Sequence, residues 1–187
     1  MIHRQVNLLC AATVAAFATQ AAWAERYAIV ELEPLSGAMS GAMAIGPAGD
    51  VAGFSSTADP AAAHASLWMP DPPDPVDLLA LPGDTQSLAL AFGAQGHTYG
   101  ISYDFGDIGV TGFMWSNGGS AALGDLFARG ANAADMLVGY TSRQIPAVGL
   151  VETASVRLNG LIFPLGTLGG TDSYAHAVNS FGDIVGV

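Results

Sequence analysis

The chain has 187 residues, 51% of them hydrophobic, with 24 glycines, 10 prolines and one cysteine. Sixteen acids against five lysines and arginines give a net charge of −11, a balance that repels a nucleic-acid backbone and an anionic membrane surface alike. High glycine content with few charges is the profile of many short strands joined by tight turns, and no capped stretch of helical period follows residue 24.

Residues 1–24 read as a secretory signal: Arg4 supplies the positive start, residues 6–18 an alanine-rich apolar core, and Ala22-Trp23-Ala24 the cleavage site. The apolar run is too short to span a bilayer as a helix. Cys10 lies inside it, but Leu8 and Leu9 stand where a lipoprotein signal wants small residues. The mature chain, 25–187, is expected to be secreted, extracellular or periplasmic, with no membrane insertion after signal removal. It holds no cysteine, and four arginines face sixteen acids, a net charge of −12. Without disulfides its stability rests on its core.

The mature chain repeats. Anchor glycines Gly53, Gly100, Gly139 and Gly186 are 47, 39 and 47 residues apart, a period in the range of propeller blades and related arrays. Thirteen residues before the anchor stand Ser40, Ser87 and Ser173, with Leu126 in the third copy. Small residues follow two and four positions later (Ala42 and Ala44, Ala89 and Ala91, Ala128 and Gly130, Ala175 and Ala177), marking one face of a strand. Met43 and Ile45, Leu90 and Phe92, His176 and Val178 lie on the opposite face.

Seven residues before the anchor come Gly46, Gly93, Asn132 and Asn179, and four before it Gly49, Gly96, Asp135 and Gly182. Both sets tolerate left-handed backbone, which predicts a hairpin loop and a returning strand over 51–55, 98–102, 137–141 and from 184 onward. The glycine inside the returning strand implies close backbone approach or a bulge. A third strand follows in HASLW (64–68), TGFMW (111–115) and, three residues late, TASVR (153–157). A further apolar segment (27–32, 76–81, 121–126, 161–165) is read as opening each unit. MPDPPDPVD (69–77) reads as a stiff acidic linker and Ser116-Asn117-Gly118-Gly119 as its flexible counterpart. The expected units are about 27–73, 74–119, 120–157 and 158–187, the last incomplete: either a three-stranded unit or part of a longer array.

HASLW, the LGTLGG of 165–170 and the Ala-Val-Asn-x-x-Gly-x-Ile-Val-Gly of 177–186 resemble the HAF repeat of bacterial extracellular repeat proteins. The last copy is close. Ser66 stands where the family name has Phe, and the third unit lacks both the serine and the tryptophan. The resemblance implies an extracellular location and a repeat architecture, and gives no activity.

Candidate sites are few. His64, His97 and His176 occupy different places in the repeat and lack metal-ligand spacing, so they read as one-off polar residues. Asp71, Asp74 and Asp77 cluster, but proline stiffness and the lack of a glycine bend argue against calcium. No nucleophile elbow, phosphate-cradling loop or dinucleotide fingerprint is present, and no cofactor is implied. The recurring serines read as structural, and Trp68 and Trp115 as core rather than sugar platforms. Arg129, Arg143 and Arg157, three of the four mature arginines, fall in the degenerate third unit and mark a candidate pocket for an acidic ligand.

The expected fold is all-β, a repeat array of four-stranded antiparallel units, propeller-like, with a β-solenoid as the alternative. The expected function is a non-enzymatic secreted scaffold for a protein or glycan partner. A propeller-type hydrolase or lyase with carboxylates at a central channel is the alternative.

Overall fold

The structure, a computed structural model, describes residues 29–71, 74–105 and 110–187, and the signal segment 1–24 lies outside the described residues. The chain divides into two compact units, Met1–Glu31 and Leu32–Val187, and the architecture below belongs to the second. It is all-β, with several antiparallel sheets, none of them closed. Among the described residues one 3-10 turn, Ala94–Gly96, interrupts the strands. Among the described residues no helix is long and apolar enough to cross a membrane.

Among the described residues fourteen strands run in repeating order. The first unit is β1 (Ser40–Ile45), β2 (Val51–Ser56), β3 (Ala63–Trp68) and β4 (Pro75–Asp77), paired in sequence as an antiparallel meander. The second is β5 (Gln86–Phe92), β6 (Thr98–Tyr103), β7 (Val110–Ser116) and β8 (Gly119–Gly124). The third is β9 (Leu126–Ala131), β10 (Leu137–Ile145), β11 (Gly149–Leu158) and β12 (Leu161–Pro164). The fourth is the hairpin β13 (Ala175–Val178) and β14 (Ile184–Gly186). Among the described residues units one and two join as one sheet through a parallel pair at Ala63 and Gln86.

These pairings move the unit boundaries. The apolar segments expected to open units two, three and four pair instead with the third strand of the unit before, as its outer strand. A short apolar run fits either edge, and the connection decides. Asn117-Gly118 at φ 51° and 81°, and Asn159-Gly160 at φ 50° and 82°, are tight two-residue turns whose twist suits a hairpin. The first of these is thus a turn within unit two, not a flexible junction. Likewise Pro75 to Asp77 of the supposed linker is β4, with proline tolerated at the start of an outer strand. Residues 29–34 form no strand.

The anchor glycines answer to one local geometry. Gly53, Gly100, Gly139 and Gly186 sit opposite Ala42, Ala89, Ala128 and Ala175, and each ladder shifts register at that point. A Cβ on any of the four would lie 1.8–2.0 Å from a carbonyl oxygen of the facing strand, so only glycine allows the bulge. Gly49, Gly96, Asp135 and Gly182 have positive φ, as their residue types suggest. The position three residues earlier does not: Gly93 has φ −112°. Asn132 and Asn179 act there through their side chains, each Oδ1 accepting two backbone N–H groups of the turn (from Ala134 and Met136, and from Phe181 and Asp183).

The core lies between units rather than within them. Ala52, Ala65 and Leu67 of the first unit meet Ala89 and Phe113 of the second; Ala91 and Tyr99 meet Leu126, Ala128 and Leu137; Val138, Ala154 and Val156 meet Ala175. Alanines on the inner strands let successive units approach closely, so each buried cluster is completed by residues of the next unit. Trp68 is 1% exposed and donates its indole N–H to the Glu33 carbonyl at 2.8 Å, so it is core. Trp115 packs against the first cluster.

Candidate functional site

At each bulge one residue of the inner strand is left without a partner across the ladder: Met43, Leu90, Arg129 and His176. All four stand ten residues before their anchor glycine. The bulge turns them to one place, a depression of about 390 Å³ that Ile101, Phe127 and Tyr140 also line. A second depression of about 490 Å³ shares Leu90, Arg129 and His176 and is bordered by Ile45, Phe92, Ala131 and Val178, near the turn ends of the same four strands. The inner strands of all four units therefore face one shared space.

Its chemistry is cationic and aromatic. The Arg129 guanidinium lies 5.4 Å from the Tyr140 ring centroid, a cation–π distance that steadies the side chain without neutralising it. Phe127 stacks on Tyr140 at 4.8 Å and 17°, and Tyr174 meets Tyr140 edge-on at 5.1 Å. The Tyr174 hydroxyl donates to Glu152 Oε2, and Ser142 Oγ donates to Glu152 Oε1 at 3.2 Å. That bond to the carboxylate, helped by desolvation and by the charges of Glu152 and Asp172, pushes the Tyr174 phenol up to about 12. Asp172 accepts the Glu152 backbone N–H and the Thr171 hydroxyl, which hold its carboxyl below the usual carboxylate range.

Of the three arginines expected to form a pocket, the structure places only Arg129 in the depression. Arg143 is exposed far along β10, opposite Val151. Arg157 lies on β11, two strands from Arg129, where its charge acts on Tyr99. They do not converge: alternation puts Arg129 on the face of Phe127 and Tyr140 and the other two on the opposite face, where six ladder positions separate Arg143 from Arg157. His176, read from sequence as a one-off polar residue, is the functional candidate that was missed. The signal was its offset from the anchor glycine, shared with Arg129.

The other histidines serve as ties. His64 Nδ1 donates to the Asp77 carboxylate at 3.0 Å, and the same carboxylate accepts Leu79 N–H at 2.8 Å. His97, Tyr99 and Asp135 form a compact cluster: Asp135 Oδ2 accepts from His97 Nδ1 at 3.0 Å, and Oδ1 from the Tyr99 hydroxyl at 3.0 Å and Ala94 N–H at 2.7 Å. Burial first, then the Asp135 bond, raises the Tyr99 phenol well above its ordinary range. With the carboxylate taken up by three donors, this cluster latches the turn of unit two to that of unit three. Among the described residues no three His, Cys, Asp or Glu side chains come together as metal ligands.

Compared with protein-family models, curated proteins and solved structures, the chain gives no significant match in any of the three.

Proposed function

We propose that the chain is a secreted, non-enzymatic β-repeat scaffold, its four units set around one axis like propeller blades, whose shared depression recognises a ligand through a single acidic group. The observation that carries this reading is the convergence of Met43, Leu90, Arg129 and His176, one from each successive unit, on one depression. In a solenoid, equivalent positions line up along the stack, and first and fourth units are kept apart by two others. A space lined by both Met43 and His176 favours a radial arrangement. The leader at 1–24 and the resemblance to HAF repeats support secretion.

The net charge of −11 disfavours polyanions at long range, while Arg129 offers a local cation beside apolar walls. A ligand with one carboxylate on an otherwise neutral body, such as a glycan bearing one uronic acid, suits both facts. A hydrolase or lyase of the propeller type needs carboxylates at the channel; the ionisable groups lining this one, apart from the Tyr140 phenol, are Arg129 and His176, which favours recognition. Calorimetric titration with oligosaccharides carrying one uronic acid, against their neutral counterparts, tests the reading. The acidic ligand binds preferentially, and Arg129→Gln weakens it by about 10-fold or more, the loss of one charge-assisted contact. Equal binding of neutral and acidic ligands, or an indifferent Arg129→Gln, would contradict it. Release of new reducing ends would favour the hydrolase or lyase instead.

A further inference from the structure

Building on the acid-recognition reading above, we infer that the aromatic end of the shared depression is a subsite for an apolar substituent of the ligand, an alkyl or aryl group attached beside its acidic group. The two depressions of the candidate site meet at Leu90, Arg129 and His176, which line both. On either side of that waist they offer different chemistry.

The larger depression, about 490 Å³, is lined by polar backbone. Gly46, Gly93, Asn132 and Asn179 each donate N–H to the returning strand, at the carbonyls of Asp50, His97, Met136 and Asp183. In an antiparallel ladder the next residue's N–H and C=O point the other way. Ile45, Phe92, Ala131 and Val178 therefore turn both groups away from the returning strand, and all four line this depression. Hydrocarbon laid over them would leave those groups dehydrated and unpaired, which is costly. Hydroxyl groups, which donate and accept, suit them instead.

The smaller depression, about 390 Å³, is walled beyond the waist by side chains: Met43, Ile101, Phe127 and Tyr140. Phe127 and Tyr140, stacked at 4.8 Å and 17°, add a paired aromatic surface. Ile101, Phe127 and Tyr140 are half-buried and Met43 is exposed, so a ligand can still cover them. The Arg129 guanidinium lies 5.4 Å from the Tyr140 ring centroid, at the border of this wall. An acid paired with Arg129 thus brings a group attached next to it against Phe127 and Tyr140. Charge and wall together define the class: a uronic acid linked to an apolar aglycone. In such a glycoside the carboxylate and the aglycone flank the ring oxygen, and the hydroxyls occupy the rest of the ring, free to meet the backbone-lined depression.

The test is calorimetric titration of the full chain with octyl glucuronide, methyl glucuronide and octyl glucoside, each below its micelle-forming concentration. Octyl glucuronide is expected to bind about 10-fold or more tightly than methyl glucuronide, since each methylene fully buried adds about 4-fold. Met43→Ser and Ile101→Thr trim the wall and leave Arg129 in place. Each is expected to cut that ratio by about 3-fold or more while the affinity for methyl glucuronide, which reports a folded site, stays unchanged. Equal binding of the octyl and methyl glucuronides overturns the subsite and spares the acid reading, provided Arg129→Gln weakens both. An octyl advantage that survives both wall variants overturns the subsite as well, because the chain then lies elsewhere. If octyl glucoside matches octyl glucuronide and the wall variants weaken both, the apolar subsite holds and the acid reading is what fails. Binding of none of the three overturns both.

Discussion

Two junctions between units are held by a serine and one by a leucine, and the difference follows from loop length. Ser87 accepts Ala65 N–H at 2.8 Å and donates to the Leu79 carbonyl at 2.7 Å; Ser173 accepts Ala154 N–H at 2.9 Å and donates to the Gly166 carbonyl at 2.7 Å. Both acceptor carbonyls belong to the loop between outer strand and inner strand, residues 78–85 and 165–174. Between β8 and β9 that loop is Asp125 alone. A serine at 126 would have no loop carbonyl to receive its proton, and a buried hydroxyl without a partner is costly. Leu126, fully buried, fills the space with carbon, and Gly112 stands where the other junctions have Ala65 and Ala154. A Cβ at Gly112 would lie 2.0 Å from the Leu126 carbonyl oxygen. A polar clamp and an apolar plug are thus two solutions to one spacing, and the loop selects between them.

Breaking the plug gives the largest effect. Leu126→Ser loses a fully buried side chain and leaves an unpaired hydroxyl, and urea unfolding is expected to show a loss of about 3–5 kcal/mol. Gly112→Ala forces backbone apart at the same junction and costs about 1–3 kcal/mol, although alanine is the native residue at both serine junctions. Breaking a clamp costs less: Ser87→Ala orphans one N–H and one carbonyl, about 1–2 kcal/mol, and hydrogen exchange at the Ala65 amide rises with it. Thr98 sharpens the contrast with opposite sign. Its hydroxyl is buried in the same core without a partner, where other units have Val51, Leu137 and Ile184, so Thr98→Val is expected to gain about 1 kcal/mol.

The smallest effect concerns Tyr174, one residue past the Ser173 clamp. Its phenol is raised to about 12 by its bond to Glu152, so the folded state holds that proton more tightly than the unfolded state. The stabilisation is complete below the ordinary tyrosine range near 10 and disappears as pH climbs through about 12. Ultraviolet titration of the phenolates should lose one late-ionising group in Tyr174→Phe, with a small loss of stability at neutral pH that vanishes as pH climbs through about 12.

The repeat and its hairpins were legible because steric rules act locally. A glycine that must admit a carbonyl, or a residue that must take positive φ, leaves its mark at a fixed offset, as Gly186 and Asp135 do. Sheet membership was less legible, since a run such as 161–164 carries no address until the Asn159-Gly160 turn is recognised as joining it to β11. The prolines of 69–77 suggested a linker for the same reason: local stiffness does not reveal that Pro75 to Asp77 finds a partner in β3. At the site, Arg129 stood out as a charge in an apolar position. Its true neighbours come from other units through the bulges, and so the sequence suggested Arg143 and Arg157, near in number, over His176, near in space.

Thiol cross-linking between first and fourth units tests the central claim most directly. In a chain with Cys10 replaced by serine, Met43→Cys and His176→Cys place one thiol on each bulge. If the four inner strands surround one depression, a short bis-maleimide joins the two rapidly within a monomer, and a control pair at position 43 and exposed Arg143 stays unlinked. Failure of the 43–176 pair to link in a folded monomer would contradict the shared depression and, with it, the reading of Arg129 and His176 as one recognition site.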